Sequence, residues 1–204
     1  MPEFYDLCLR NKNSRIKEKA EKLGWNTEKK FSTTFLEADD WGELKTKIGE
    51  ERQETDVLVF KGGDEKLNRK AAEDTRVDIL LHPEKGRKDS GINHVTAKKA
   101  AENKVAIGFD FRQLTDNKGK YRSFILQHWE RNLKLTEKYG TPYIITTGAE
   151  KPYYLRAPRD LAALISSLGF NGSKAVSKTP RKILERAERV KDENFVRPGE
   201  KVKK

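Results

Sequence analysis

Residues 77–114 read VDILLHPEKGRKDSGINHVTAKKAAENKVAIGFDFRQL, and this stretch carries the pattern that decides the fold. The apolar run at 77–81 predicts a short buried strand that ends at His82-Pro83, because proline cannot donate to a sheet ladder. Asp89 and Ser90 are candidate N-caps of the helix that follows, and residues 105–111 alternate as a second strand does. The stretch is therefore a βαβ unit with a basic loop after its first strand.

The same alternation continues on both sides of this unit. Apolar runs predict strands at 4–9, 56–60, 77–81, 105–111, 142–145 and 175–177, and a more polar segment at 25–31 is interpreted as a further strand. Each is followed by a predicted helix. Seven βα repeats without a break favour an α/β fold in the form of a TIM-like barrel with about seven parallel strands. An open doubly wound sheet is the alternative, since alternation does not fix strand order. In both architectures, function is expected beyond the carboxyl ends of the strands.

No segment of the 204-residue chain has the composition of an interdomain linker. We predict a single barrel domain over residues 1–194. The last ten residues, 195–204, have too little apolar content to fold, and we predict a basic flexible tail there.

The chain is strongly basic, with 43 Lys and Arg against 32 Asp and Glu and a formal net charge of +11. Such a charge steers polyanions toward the surface, and nucleic acid is the first partner to consider. The alternative is a solubilising coat of charged side chains, as in proteins from hot environments.

The single cysteine, Cys8, excludes an intrachain disulfide and a cysteine-rich zinc module, and we expect it in the core. The first residues enter a strand pattern at once, and no apolar run has membrane length. We therefore expect a cytoplasmic protein with no membrane association.

Basic residues follow several predicted strands and would gather on one rim of the barrel. They are Lys61, Lys85, Arg87, Lys88, Arg112, Lys151, Arg156 and Lys178. Such a rim would bind phosphates, and His82 could hydrogen-bond phosphate or cap a turn. The alternative is a solvated rim that Asp89, Asp116 and Glu150 neutralise. No RRM or KH signature accompanies the cations.

Few residues could carry catalysis. The histidines His82, His94 and His128 match no metal-ligand spacing, and no nucleophile elbow, P-loop or dinucleotide fingerprint occurs. Asp6 and Asp110 lie among apolar residues of predicted strands, where each could act as an acid, base or ligand, or pair with an arginine.

Two further expectations concern the surroundings of this end of the barrel. We expect Glu84 to be exposed. A long helix is predicted at 121–139, with Phe124, His128 and Trp129 among the residues of its buried face.

These residues resemble a known family, the thirty-kilodalton ribonuclease P subunits, whose archaeal members are called protein component 3. The resemblance rests on residues 78–114 and on three later segments: YIITTGA at 143–149, LRAPRDL at 155–161, and AVS at 175–177 before Pro180. It implies a TIM-like barrel related to the PHP phosphoesterases. It also implies a subunit of the ribonucleoprotein endonuclease that removes the 5′ leader from precursor tRNA.

The same resemblance implies partners and the source of the chemistry. The partners would be ribonuclease P RNA, protein component 2, other ribonuclease P proteins and, through the holoenzyme, precursor tRNA. PHP enzymes carry a metal-binding HxH pair at the end of the first strand, where this chain has Asp6-Leu7-Cys8. We therefore expect no cofactor bound by this chain, which alone would be noncatalytic, and magnesium held by the RNA.

The residues that we expect to contact RNA are Lys61, His82, Lys85, Arg87, Lys88, Arg112, Arg156 and Lys178. One alternative is a freestanding metal-dependent phosphoesterase of PHP type using Asp6, His82 and Asp110, with His94 as a further candidate. Another is a protein-only interaction module whose basic coat reflects thermophily.

Overall fold

The computed structural model describes residues 2–11, 13–191, 195–197 and 200–201. Its centre is a parallel sheet of five strands, which are β1 (Thr33–Leu36), β2 (Val57–Lys61), β3 (Ile79–Leu81), β4 (Ala106–Asp110) and β5 (Tyr143–Thr146). Each strand pairs with the next one along the chain. A doubly wound sheet would reverse its strand order at some point, so the sequential order confirms the prediction of a TIM-like fold over that alternative.

Helices connect the strands. They are α1 (Ser14–Lys22), α2 (Trp41–Glu51), α3 (Glu65–Glu73), α4 (His94–Asn103), α5 (Phe111–Asp116), α6 (Lys120–Tyr139), α7 (Pro158–Ser167) and α8 (Thr179–Lys191), with a 3₁₀ turn at Pro152–Tyr154. The expected caps Asp89 and Ser90 are wrong for α4. Its N-cap is Asn93, whose side chain accepts from the N–H groups of Val95 and Thr96. Asp89 is instead engaged by the guanidinium of Arg87.

The predicted number of seven parallel strands is corrected to five among the residues that the structure describes. The segment at 4–9 lies between the sheet edges, because Tyr5 N donates to Val176 O at 3.0 Å and Thr33 Oγ1 donates to Leu7 O at 3.0 Å. It forms no ladder, since the Asp6 side chain turns back to accept from Cys8 N. The predicted strand at 175–177 is part of a π-helical turn, Lys174–Lys178, that continues into α8. Two irregular segments thus occupy the gap of an incompletely closed barrel.

The second strand also lies later than predicted. The segment at 25–31 begins with a turn, in which the Asn26 side chain accepts from the N–H groups of Glu28 and Lys29, and β1 starts only at Thr33.

Alternating side chains of the strands feed two separate cores. One lies between the sheet and the helices and includes Leu58, Phe60, Leu80, Ile107, Phe109, Tyr143 and Ile145. The other fills the barrel and includes Val57, Val59, Ile79, Leu81, Ala106 and Ile144, packed with Tyr5, Leu7, Cys8, Ile183 and Leu184. Because β2, β3, β4 and β5 are buried on both faces, their sequences are nearly continuous apolar runs. Cys8 is a core residue, as expected.

Helix α8 covers the amino ends of the strands. Its Ile183 and Leu184 enter the barrel core, and the Arg186 guanidinium donates to the carbonyl oxygens of Thr75 and Asn103, which precede β3 and β4. A functional surface is therefore left to the opposite, carboxyl end.

Near the C-terminus, Phe195–Arg197 (β6) and Glu200–Lys201 (β7) pair antiparallel. Residues 192–194, 198–199 and 202–204 of the region around the predicted flexible tail lie outside the described residues, so the tail and the domain boundary stay predictions. Within the described part of the chain, no helix has both the length and the apolar character needed to cross a membrane.

Candidate nucleic-acid interface

A cleft of about 790 Å³ opens at the carboxyl end of the barrel, between the loop after β3 and the helices α5 and α6. It brings together five of the predicted RNA-binding residues: His82, Lys85, Arg87, Lys88 and Arg112. Arg10, Glu84, Asp110, Gln113, Tyr121, Phe124 and His128 complete most of its lining. The expectation that cations gather beyond the strand ends is met for this group.

The loop after β3 is fixed from below by the buried side chain of Asn68. Its Nδ2 donates to Pro83 O at 3.0 Å and to Gly91 O at 2.8 Å. Gly91 has φ +73°, and a Cβ there would overlap the carbonyl of Pro83. These contacts hold the two ends of the loop together, and Lys85 and Lys88 are exposed between them.

The arginines and lysines of the cleft differ in their ion pairs. Arg87 makes two 2.7 Å hydrogen bonds to Asp89, and Arg112 pairs with Asp116 at 3.0 Å and Glu150 at 3.1 Å. Lys85 and Lys88 have no carboxylate partner among the described residues. The alternative prediction, a rim neutralised by Asp89, Asp116 and Glu150, is therefore correct for the two arginines. It does not hold for Lys85 and Lys88.

Three predicted contact residues lie outside this cleft. Lys61, at the end of β2, pairs with Glu37 at 2.6 Å. Arg156 donates to the carbonyl oxygens of Tyr153 and Leu155 and lies over the Phe111 ring, with its Cζ 5.7 Å from the centroid.

Lys178 does not lie at a strand end, because the segment before it is the π-helical turn that leads into α8. Its placement on the common rim is therefore wrong.

The two barrel carboxylates are held by donors of the protein. Asp6 accepts from the hydroxyls of Thr146 and Thr147 and from Thr147 N at 3.0 Å. Asp110 accepts from Arg10 Nη2 at 2.7 Å and, as the N-cap of α5, from Arg112 N at 2.9 Å. Burial raises the pKa of both groups. For Asp110, the alternative of an arginine-paired structural carboxylate is the one observed.

The residues at this end of the barrel do not fit a hydrolytic metal centre. In the described ranges, no three His, Cys, Asp or Glu side chains are grouped so that they could hold a metal ion. The carboxylates of Asp6 and Asp110 are directed at hydroxyl, guanidinium and backbone donors. A metal-ligand set of Asp6, His82 and Asp110 is thus not assembled here.

His82 and Glu84 form a buried polar floor to the cleft, with only 1% and 3% of their surfaces exposed. The expectation of an exposed Glu84 is wrong, because Trp129 of α6 covers it and donates from Nε1 to Oε1 at 3.0 Å. Burial raises the pKa of Glu84 to about 7. Burial, together with the charge of Lys85, lowers the pKa of His82 to about 3.

Polar atoms of this floor lack hydrogen bonds. Within the described part of the chain, His82 Nδ1 and Glu84 Oε2 have no hydrogen-bond partner. The Gln113 side chain lies close enough to Glu84 to lower its pKa, but its Nε2 also makes no hydrogen bond of full geometry. Buried polar atoms without partners are uncommon, so this floor is suited to a ligand that carries hydrogen-bond donors and acceptors.

The first turns of α6 place aromatic rings in the open. Tyr121 is 62% exposed and Phe124 is 50% exposed, although Phe124 was expected on the buried face. That face begins one turn later, where Trp129 is buried and packs on Phe109 at a centroid distance of 5.3 Å. His128 is half-buried and lines the cleft. The amino-terminal end of α6 therefore extends beyond the hydrophobic core.

Arg10 is the main cleft residue that was not predicted from the sequence. It follows the first apolar run as Arg112 follows the fifth, so the rule that selected cations after strands would have selected it too. Gln113 carries no comparable signal, since its place depends on how α5 turns.

Comparisons with known proteins agree with one another. The family model of RNase P subunit p30 matches residues 32–192. Ribonuclease P protein component 3 of Methanococcoides burtonii is 41% identical over 172 residues, 83% of this chain and 70% of the relative. The protein of that name from Methanococcus maripaludis strain S2 is 34% identical over 95% of this chain and 85% of its own length. A chain in a cryo-EM structure of archaeal ribonuclease P with mature tRNA matches with a TM-score of 0.78 and 32% identity, covering 96% of this chain and 86% of that one.

Proposed function

This chain belongs to the RNase P subunit p30 family and is a protein subunit of ribonuclease P, and we propose that it serves the holoenzyme as a noncatalytic RNA-binding part. The complex processes tRNA, and the proposed role is to support its catalytic RNA while the 5′ leader of precursor tRNA is removed. The RNA would supply the active site and its magnesium. Protein component 2 is the proposed immediate partner, and other ribonuclease P proteins complete a cytoplasmic particle.

The observation that carries this proposal is a contrast between side chains at the carboxyl end of the barrel. The carboxylates that could do acid–base or metal chemistry, Asp6 and Asp110, are engaged by donors of the protein. The exposed lysines Lys85 and Lys88 have no carboxylate partner among the described residues. Engaged Asp6 and Asp110 carboxylates near exposed lysines without an ion-pair partner suit phosphate binding better than hydrolysis.

Reconstitution tests the role of the subunit. Precursor tRNA cleavage is measured with the catalytic RNA and protein component 2 at limiting magnesium, with and without this chain. We expect faster cleavage with the chain present, because a bound cationic protein lowers the repulsion between RNA phosphates. Equal rates in the two reactions would overturn the proposal.

Charge reversal tests the surface. Lys85→Glu/Lys88→Glu leaves the arginine ion pairs intact, unlike changes at Arg87 or Arg112. We expect weaker binding to ribonuclease P RNA, with a log–log salt slope shallower by about 1–2, since each phosphate contact contributes roughly 0.7–0.9. Lys98→Glu/Lys182→Glu makes the same change in net charge at exposed positions of α4 and α8. Equal loss of affinity in both variants would show that net charge, not this cleft, governs binding.

A further inference from the structure

We propose that the cleft at the carboxyl end of the barrel binds one unpaired nucleotide of an RNA, with the phosphate at Lys85 and Lys88 and the base against Phe124 and Tyr121. The inference rests on the proposed RNA-binding function and specifies the form of RNA that the site takes. It goes beyond phosphate contacts, because those alone do not distinguish a paired from an unpaired strand.

The aromatic side chains supply the first argument. Phe124 and Tyr121 are 50% and 62% exposed on successive turns of α6, and both line the same cleft as the unpartnered lysines. Exposed rings beside cations are how proteins hold single strands, since every base can stack on an aromatic face. A duplex keeps its bases stacked on one another and cannot offer that contact.

The cleft floor supplies the second argument. His82 Nδ1 and Glu84 Oε2 are buried, line the cleft and lack hydrogen-bond partners within the described residues. A nucleobase edge carries both donors and acceptors and could satisfy such a pair. A phosphodiester group offers only acceptors, so it cannot donate to an acceptor atom of this floor, whereas a base edge can.

Charge and size agree with this occupant. Arg10, Lys85, Arg87, Lys88 and Arg112 all line the cleft, so a ligand with a phosphate is drawn to its mouth. The volume of about 790 Å³ lies within the range of roughly 300–1,000 Å³ that is usual for small-ligand sites. The cleft can therefore hold a nucleotide together with part of its neighbours. The charged rim also favours RNA over an apolar protein segment.

Binding of the full chain to two probes tests the inference: a single-stranded A5 oligoribonucleotide and a blunt RNA duplex long enough to stay paired. We expect Phe124→Ala to weaken A5 binding about tenfold and to leave duplex binding within twofold, because loss of one stacking contact costs about 1–3 kcal/mol per base. Phe124→Trp should retain A5 binding. Tyr153→Ala removes a ring of similar exposure, 61%, outside the cleft, and should have no effect.

The outcomes separate this inference from the proposed function. If Phe124→Ala binds A5 as the unchanged chain does, or if the unchanged chain binds only the duplex, the nucleotide site is overturned. The subunit role still stands as long as the chain accelerates reconstituted cleavage. If Phe124→Ala weakens association with protein component 2 while A5 affinity is unchanged, the aromatic end of α6 is a protein contact and the inference fails. Unchanged thermal unfolding of the variant excludes a folding defect.

Discussion

Arg10 Nη2 lies 2.7 Å from Asp110 Oδ2, and this ion pair joins the irregular first segment of the chain to the end of β4. The Asp110 side chain is fully buried, whereas 28% of the Arg10 side chain is exposed. Arg10 Nη1 also pairs with Glu150 at 3.2 Å. The positive charge of Arg10 thus compensates the negative charge of a carboxylate that has no access to water. This ion pair also links the first segment to the sheet, to which that segment is not joined as a strand.

Removing that compensation should destabilise the fold. We expect Arg10→Ala to lower the free energy of unfolding by about 2–3 kcal/mol, since a buried charge loses its partner but the arginine itself is partly solvated. Urea denaturation at neutral pH measures the change. Arg15→Ala removes an exposed arginine of α1 and should cost less than about 0.5 kcal/mol. Equal effects of the two substitutions would show that the Asp110 pair contributes nothing specific.

Gly148 should tolerate no side chain. It has φ +59°, and a Cβ at this position would overlap the carboxylate of Asp110. We expect Gly148→Ala to destabilise the chain by more than about 2 kcal/mol, through both backbone strain and displacement of the Asp110 pair. Gly24→Ala is the control, since its φ is +94° but no atom lies within 4 Å of the added Cβ, so only strain of about 1 kcal/mol is expected. Similar melting curves for the two variants would contradict the overlap.

Glu84 should make stability fall as pH rises. Its pKa is raised in the fold from 4.5 to about 7, so the folded state holds a proton that the unfolded state releases. The stabilisation from this proton is complete below pH 4.5 and is lost as pH rises through 7. As pH rises from 4.5 to 7.5, the free energy of unfolding of the unchanged chain should fall by about 3 kcal/mol relative to that of Glu84→Gln. Urea denaturation series at several pH values measure the difference, and a constant difference would refute the buried neutral carboxyl.

His82 should act in the opposite direction. Its pKa is lowered in the fold from 6.5 to about 3, so the unfolded state takes up a proton that the folded state refuses. Stability is complete above pH 6.5 and is lost as pH falls toward 3. Asparagine tolerates the positive φ of +39° that His82 has, so His82→Asn is a suitable replacement. As pH falls from 6.5 to 4, the free energy of unfolding of the unchanged chain should fall by about 3 kcal/mol more than that of His82→Asn. Parallel acid denaturation of both chains would be the contrary result.

The strands of the barrel were predictable where apolar content alone decides them. β2, β3, β4 and β5 lie inside or beside their predicted runs, because both faces of each are buried. The segments at 4–9 and 175–177 have the same composition and form no strand. In the first segment, the Asp6 side chain accepts from Cys8 N, and Thr147 N holds that side chain in place. The second segment forms a π-helical turn that leads into α8. Both conformations depend on residues far away in the sequence, which a local pattern does not reveal.

The candidate site was predictable in the position of its cations and in the acids that pair with its arginines, but not in its buried floor. Placing cations after strands located Lys85, Arg87, Lys88 and Arg112 in one cleft. The acids that pair with the arginines, Asp89, Asp116 and Glu150, were also named from the sequence. Glu65, which lies 3.6 Å from Arg87, was not, because its approach depends on how α3 packs beside the loop after β3. The burial of Glu84 depends on Trp129, 45 positions away.

Helix α8 sets the order in which this chain can finish folding. The apolar strip that Val57, Val59, Ile79 and Leu81 turn toward the barrel interior is covered in part by Ile183 and Leu184, more than a hundred positions downstream. On a ribosome, that strip is synthesised long before its cover emerges. Until α8 is synthesised, these apolar side chains lack the cover that they have in the complete fold, so we expect the barrel interior to close only when the C-terminal part of the chain is available.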